Sequence, residues 1–333
     1  MREVAILGAG SWGTALAVHL GLVGHDVRLW ARDESLAAEM RRRRANAVYL
    51  PDVTLPSNVS VTSSIEQALA GTALIVAAIP SHVCRAVMKL AAPHLSARAI
   101  LVSATKGLES DTLLRMSEVI TQEAGADHPV VVLSGPSFAV EVSQRLPTAV
   151  LAASPDRQAT ELVQEEFRSP YFRLYASDDV IGVEIGGALK NVIAIAAGVV
   201  EGLGLGHNAL AALVTRGLAE LTRLACAAGG RRETLAGLSG LGDLVLTCTG
   251  QLSRNRHVGV ELARGRPLVD ILAGMKMIAE GVRTTGAALA LGERYQVELP
   301  IATQMAAVMA GRSDVRSAIE ALMLRRQRAE HEV

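Results

Sequence analysis

Glu3-Val4-Ala5-Ile6-Leu7, then Gly8-Ala9-Gly10-Ser11-Trp12-Gly13, then the run Thr14 to Leu22 decide the fold of this chain. An apolar strand that runs straight into Gly-x-Gly-x-x-Gly and on into a helical pattern is the dinucleotide-binding fingerprint in the setting that gives it meaning. The first glycine makes the tight turn, the second lets the backbone approach a pyrophosphate, and the third lets helix and strand pack closely. Gly8, Gly10 and Gly13 are therefore cofactor-binding candidates. Asp26-Val27-Arg28-Leu29-Trp30 reads as the second strand. NAD-binding chains set an acidic residue about 20 positions past the fingerprint, where it bonds the ribose 2′-hydroxyl. Here the strand ends in Trp30-Ala31-Arg32, and an arginine suits a 2′-phosphate, so NADP(H) is expected; Asp33 keeps NAD(H) open as well.

Further apolar segments follow at strand–helix spacing: Val59 to Val61, Ala73 to Ile79, Ala99 to Val102 and Val130 to Leu133. Helical patterns lie between them, Val83 to Leu90 and Leu113 to Glu123. This alternation predicts a doubly wound, mostly parallel sheet. Ligands on such sheets bind beyond the carboxyl ends of the strands, which draws attention to the segments that follow them. Lys106, in Thr105-Lys106-Gly107-Leu108-Glu109, leaves a strand end and precedes a glycine, a placement that directs its ammonium toward the binding side. The turn Gly135-Pro136-Ser137 offers backbone and hydroxyl groups to a polar ligand, or is a plain tight turn.

From Asp178 onward strand signals stop and helical periodicity takes over, in Val180 to Gly202, Ala209 to Ala228, Arg254 to Arg264, Glu280 to Leu291 and Val315 to Leu324. The expected organisation is an α/β Rossmann domain over 1–177 and an all-helical substrate domain over 178–333, with a cleft between them. The chain of 333 residues is half hydrophobic and carries no net charge, which speaks against a broad nucleic-acid or membrane-surface footprint. The run Arg41 to Arg44 reads as a solvated helix face. Cys84, Cys226 and Cys248 are scattered and lack metal-ligand spacing, so no metal is expected and a reducing compartment fits. No signal peptide is read at the N-terminus, and the longest apolar stretch, Val180 to Val200, is cut by Glu184 and Lys190 and reads as a buried helix rather than a membrane span.

Only four of the 33 basic residues are lysines: Lys89, Lys106, Lys190 and Lys276. Lys190 falls in the middle of the most apolar helix, in Gly186-Gly187-Ala188-Leu189-Lys190-Asn191-Val192. An ammonium there must be paired, snorkelled or functional, and the small residues Gly186, Gly187 and Ala194 leave room for a chain segment or a ligand. Asp243, in the glycine-rich string Gly237 to Val245, is either its partner or a helix cap. Thr247-Cys248-Thr249-Gly250-Gln251-Leu252-Ser253-Arg254-Asn255-Arg256 supplies a glycine turn, a capping serine and two arginines where an anion could dock. Ser253 at the cap, Arg254 with its fork of donors and Asn255 as a neutral donor read as a phosphate-binding helix start, or as a capped surface helix with two solvated arginines.

Taken together, GAGSWGTAL, ATKGLE, SGPSFAxEV, GALKNVIAIAAG, GLSGLGDLVLTCTG, LSRNR and IAEGVRTT resemble the bacterial-type NAD(P)-dependent sn-glycerol-3-phosphate dehydrogenases over nearly the whole chain. The resemblance implies interconversion of sn-glycerol 3-phosphate and dihydroxyacetone phosphate, which supplies phospholipid backbones, and a C-terminal domain of the 6-phosphogluconate dehydrogenase-like type. It implies that Ser11, Trp12, Arg32, Ala139, Ile278 and Glu280 contact the dinucleotide, together with Lys106 and Arg254. It implies that Lys106, Gly135, Ser137, Lys190, Asp243, Ser253, Arg254 and Asn255 hold the substrate, with Lys190 as proton acceptor. A cytoplasmic homodimer with a small-molecule substrate, and no nucleic-acid partner, completes the expectation. The rival readings are another β-hydroxyacid or 6-phosphogluconate-type dehydrogenase and a non-catalytic NAD(P)H sensor.

Overall fold

The computed structural model describes residues 2–275, 279–327 and 329–330. They form two compact units, one reaching Lys106 and resuming from Leu114 to Val180, the other built from Gly107–Leu113 and from Ile181 onward.

The first unit runs β1 (Glu3–Leu7), α1 (Ser11–Val23), β2 (Asp26–Trp30), α2 (Glu34–Arg43), β3 (Ala45–Asn46), β4 (Leu50–Thr54), β5 (Val59–Thr62), α3 (Ile65–Leu69), β6 (Leu74–Ala77), α4 (Cys84–Ala91), β7 (Ile100–Ser103), α5 (Met116–Ala124), β8 (Val130–Ser134), α6 (Ala139–Ser143), β9 (Thr148–Ala153), α7 (Arg157–Glu166) and β10 (Phe172–Ser177). The strands β5, β2, β1, β6, β7 and β8 lie side by side in parallel. β9 pairs antiparallel with β8, and β10 runs parallel to β9 at the edge. Strands such as Leu74-Ile75-Val76-Ala77 are apolar throughout because both faces are covered. Leu16 and Leu20 of α1, Met40 of α2 and Val163 of α7 pack on one face, and Leu69 of α3, Met88 of α4 and Ile120 of α5 on the other. This is the doubly wound, mostly parallel sheet expected from the sequence. The chain order reverses between β1 and β6, which makes the crevice beyond their carboxyl ends the topological switch point.

The antiparallel pair β3–β4 and the strands β9 and β10 were not in the sequence reading. The arginine run also differs from a purely solvated face. Arg41 pairs with Glu34 at 2.6 Å and donates to Val61 O at 3.3 Å. Arg44, in the left-handed region at φ 52°, donates to Val59 O at 2.8 Å, to Leu55 O at 3.2 Å and to Pro56 O.

The second unit comprises α8 (Val180–Gly202), α9 (Gly206–Ala227), α10 (Arg232–Leu235), a π turn at Leu238–Gly242, α11 (Asp243–Thr249), α12 (Arg254–Ala263), α13 (Leu268–Ala273), α14 (Glu280–Arg294), α15 (Pro300–Met309) and α16 (Val315–Met323). Among the described residues one helix, α8, is long and apolar enough to cross a membrane, but its most apolar window is 89% buried inside the protein, where it forms the centre of the helical core. Leu108 and Leu113 pack in that same core, which draws Gly107–Leu113 into the helical unit in a way that a boundary at 177 does not anticipate.

One polar cluster lies inside the first unit. His19 is buried on α1, with Nε2 against Phe167 O at 2.8 Å and Nδ1 against the Tyr171 hydroxyl at 3.1 Å. The carbonyl can only accept, so Nε2 carries the proton and Nδ1 accepts from tyrosine. Burial pushes the imidazole down from 6.5 to about 4; the Phe167 bond works against this and nearby His25 adds to it. The folded state therefore disfavours a proton that the unfolded chain binds below 6.5. Stability of this unit should fall between about pH 6.5 and 4, by roughly 3 kcal/mol in total. An imidazole NMR titration should place the His19 midpoint near 4, and a midpoint at the free-histidine value would contradict the assignment.

Candidate active site

Within the first unit, each glycine of the loop has its own reason. Gly8 lies at φ +113°, and a Cβ there would sit 2.5 Å from Ala78 O, beyond the end of β6. A Cβ on Gly13 would overlap Gly8 O, so helix and strand close only without one. Gly10 is different: a Cβ there meets nothing within 4 Å. Protein packing does not require glycine at that position, whereas a phosphate approaching the backbone does. Gly10 is the N-cap of α1 and has no side chain to close the helix start, and the first turn carries no acidic residue to oppose the positive end of the dipole. These residues fit a dinucleotide.

Ser11 Oγ donates to Tyr49 O at 2.7 Å, and Trp12 packs half-buried on the core. Arg32 is exposed just beyond β2. Its neighbour Asp33 accepts from Ser35 N at 2.8 Å and Leu36 N at 3.2 Å, so the acidic residue that kept NAD(H) open is committed to capping α2. Lys106, Gly135 and Ser137 come together: the Gly135 carbonyl accepts from Lys106 Nζ at 3.0 Å and from Ser137 Oγ at 3.0 Å. Ala139 opens α6 just after them.

Within the second unit, α8 organises the rest. Lys190 is buried and forms an ion pair with Asp243, and its Nζ donates to Thr247 Oγ1 at 2.8 Å. The ammonium is therefore paired, one of the alternatives open to it. Asp243 is the first residue of α11, and its carboxylate faces the lysine. The approach is built from glycines. A Cβ on Gly186, one turn before Lys190, would lie 3.0 Å from Ser239 O and 3.1 Å from Leu235 Cδ1, and a Cβ on Gly240 would overlap Leu235 O. The room beside α8 is thus taken by another chain segment. That segment is wound as a π turn, with Gly242 N donating to Gly237 O at 3.1 Å, and it delivers Asp243 to Lys190.

Farther along α8, Cβ atoms on Gly198 and Gly259 would overlap Arg256 O and Ile195 O, so α12 crosses α8 with backbones almost touching. This fixes the start of α12. Ser253 is its N-cap, Oγ accepting from Arg256 N at 3.2 Å. Arg254 keeps solvent access, yet burial among surrounding protein lowers its guanidinium pKa while the Glu280 carboxylate opposes that shift. A cation at a helix start adds to the positive end of the dipole, an arrangement that an anion relieves. One expectation needs correction. Arg256 does not join Arg254: it pairs with Glu201 and donates to Gly250 O at 3.1 Å. Asn255 already has internal partners, donating to Asn191 Oδ1 at 3.0 Å and accepting from Gly281 N at 2.9 Å, which ties α8, α12 and α14 together. Ile278 and Lys276 lie outside the described residues.

Sequence reasoning missed Thr247 and Asn191. Thr247 lies one helical turn after Asp243 on α11, a spacing that could have revealed it; Asn191 gave no signal beyond its adjacency to Lys190. Cys248, close to the pair, has its thiol pushed up to about 12 by burial, with Lys190 working against this and Asp243 for it, so it is inert as a nucleophile. Among the described residues no group of three or more His, Cys, Asp and Glu side chains is placed to hold a metal ion.

A dinucleotide-type sheet and a helical unit with a buried lysine–carboxylate pair define a nicotinamide-dependent oxidoreductase. Family models for the NAD-dependent glycerol-3-phosphate dehydrogenase N-terminus and C-terminus match residues 3–160 and 179–320. Glycerol-3-phosphate dehydrogenase [NAD(P)+] of Koribacter versatilis is 53% identical over 329 residues, covering 98% of both chains. That of Syntrophotalea carbinolica is 51% identical over 330 residues, covering 98% of this chain and 99% of the relative. The crystal structure of glycerol-3-phosphate dehydrogenase from Coxiella burnetii superposes with a TM-score of 0.94 at 40% identity, covering 97% of this chain and 99% of that one. The chain belongs to the NAD(P)-dependent glycerol-3-phosphate dehydrogenase family.

Breaking a buried ion pair on one side leaves an uncompensated charge and costs about 3–5 kcal/mol, whereas replacing both partners by apolar groups is often neutral. Asp243→Asn should therefore lower the urea-unfolding free energy by that order, and Lys190→Met combined with Asp243→Leu should recover most of it. Wild-type stability in Asp243→Asn would show that the pair is not held in the folded protein.

Proposed function

We propose that this protein interconverts sn-glycerol 3-phosphate and dihydroxyacetone phosphate with NADP(H), NAD(H) or both, and works in the direction that supplies glycerol 3-phosphate for phospholipid synthesis. The observation that carries this reading is the buried Lys190, paired with Asp243 and bonded to Thr247 beside the start of α12. The nicotinamide, when bound, gives or takes the hydride at the secondary carbon. Lys190 handles the proton of the same group. In the reducing direction its ammonium delivers a proton to the oxygen as the carbonyl becomes an alcohol, and in the oxidising direction its amine accepts that proton. Asp243 and Thr247 fix two of the directions in which Nζ bonds, so the proton is aimed rather than free to rotate.

The reading gives the phosphate end of the substrate to Ser253, Arg254 and Asn255. Support comes from the capped start of α12, where Arg254 and the helix dipole present the same sign of charge. Phosphate is remote from the reacting carbon, so its binding energy holds the alcohol in place for the chemistry. Lys106, Gly135 and Ser137 take the polar end in this scheme, supported by their convergence on one carbonyl. Gly8, Gly10, Ser11, Trp12, Gly13, Arg32, Ala139 and Glu280 are assigned to the dinucleotide, with Arg254 and Lys106 reaching both ligands. The cellular setting is a cytoplasmic homodimer; the three cysteines, none of them in a disulfide, fit a reducing compartment.

Purified protein should reduce dihydroxyacetone phosphate with NADPH, seen as loss of the reduced-nicotinamide absorbance. No turnover with either nicotinamide, in protein that binds cofactor, would end the enzyme reading. Lys190→Ala should remove turnover while leaving dinucleotide binding intact, and a near wild-type rate would rule out the base. Arg32→Ala should weaken NADPH at least tenfold more than NADH, because a bidentate phosphate contact is lost; equal losses would refute the argument from the second strand.

A further inference from the structure

The strap β3–β4 has no counterpart in the sequence reading, yet it holds the glycine loop from the side. Asn46 is fully buried. Its Nδ2 donates to Ala9 O at 2.9 Å and to Thr14 Oγ1 at 2.8 Å, while its Oδ1 accepts from Tyr49 N at 3.1 Å. Both amide hydrogens and the carbonyl are therefore engaged, which fixes the amide orientation without ambiguity. Ser11 Oγ closes the circle by donating to Tyr49 O at 2.7 Å. The loop Ala9–Thr14 is thus bonded to the segment Asn46–Tyr49 at both ends.

The consequence lies in the peptide joining Ala9 to Gly10. In a trans peptide the carbonyl and the N–H point in opposite directions. A donor that holds Ala9 O on the strap side therefore holds Gly10 N–H on the other. Without that donor the peptide could flip, because glycine tolerates φ of either sign. Gly10 is the loop position with open space over it, where the fold expects a pyrophosphate.

We propose that Asn46 is a positioning residue for the dinucleotide: it acts through the Ala9–Gly10 peptide to keep the Gly10 N–H presented to the pyrophosphate. The inference rests on the reading of this unit as NAD(P)-binding. Asn46→Asp keeps the shape but sets an acceptor against Ala9 O, and Asn46→Ala removes the donor. Both variants should bind NADPH at least tenfold more weakly by calorimetry, while adenosine 2′-monophosphate, which lacks the pyrophosphate, binds within twofold of wild type. The KM for dihydroxyacetone phosphate should change less than twofold. In the dinucleotide-free protein, amide hydrogens of residues 9–14 should exchange faster. Thr14→Val removes only one acceptor of Asn46 and should weaken NADPH about threefold, so it decides the matter if the Asn46 variants do not fold. Unchanged NADPH affinity in folded variants, or equal weakening of adenosine 2′-monophosphate, overturns the inference while leaving the cofactor reading intact. A wild-type protein that binds no dinucleotide overturns both.

Discussion

A charged amine inside an apolar helix is the constraint around which the helical unit is arranged. Lys190 cannot be left without a counter-charge in that setting, and Asp243 reaches it only because a π turn and two glycines bring a second segment against α8. A buried ion pair adds little net stability compared with an apolar filling. Packing follows from the same demand. The bulk that α8 would otherwise bury on that side is absent at Gly186, and the core of Ile185, Leu189, Val192 and Leu244 closes around what remains.

Two helix starts, one in each unit, build positive potential by different means. At α1 the preparation is subtractive: a glycine cap, no acidic residue in the first turn and nothing filling the space over Gly10 leave backbone N–H groups and the dipole as the attraction. At α12 it is additive, with a serine cap, an arginine at the first position and an asparagine anchored to α8 and α14. The first arrangement suits a ligand that lies along the backbone, as a pyrophosphate does. The second places a charged guanidinium fork beside the end of the dipole.

What the sequence disclosed was mostly local. The strand, glycine loop and start of α1 are contiguous, and each glycine there has a steric or ligand-approach reason that its spacing conveys. Lys190 stood out because charge in an apolar run is costly whatever the fold. The features that escaped depend on partners distant along the chain. Asn46 is an ordinary polar residue until β3–β4 folds back onto a loop 37 positions earlier. β9 and β10 are short strands whose direction relative to β8 is set by pairing rather than by composition. Leu108 and Leu113 look like a loop of the first unit and instead fill the core of the second. The bonds of Asn255 to Asn191 and Gly281 join helices that no spacing rule connects.

The distribution of thiols has a practical side. Cys84 and Cys248 are buried, and Cys226, near the end of α9, is exposed. The natural chain thus carries one accessible attachment point for a maleimide dye in the helical unit. A second cysteine substituted at an exposed position of the sheet unit would complete a donor–acceptor pair with all three native cysteines left in place.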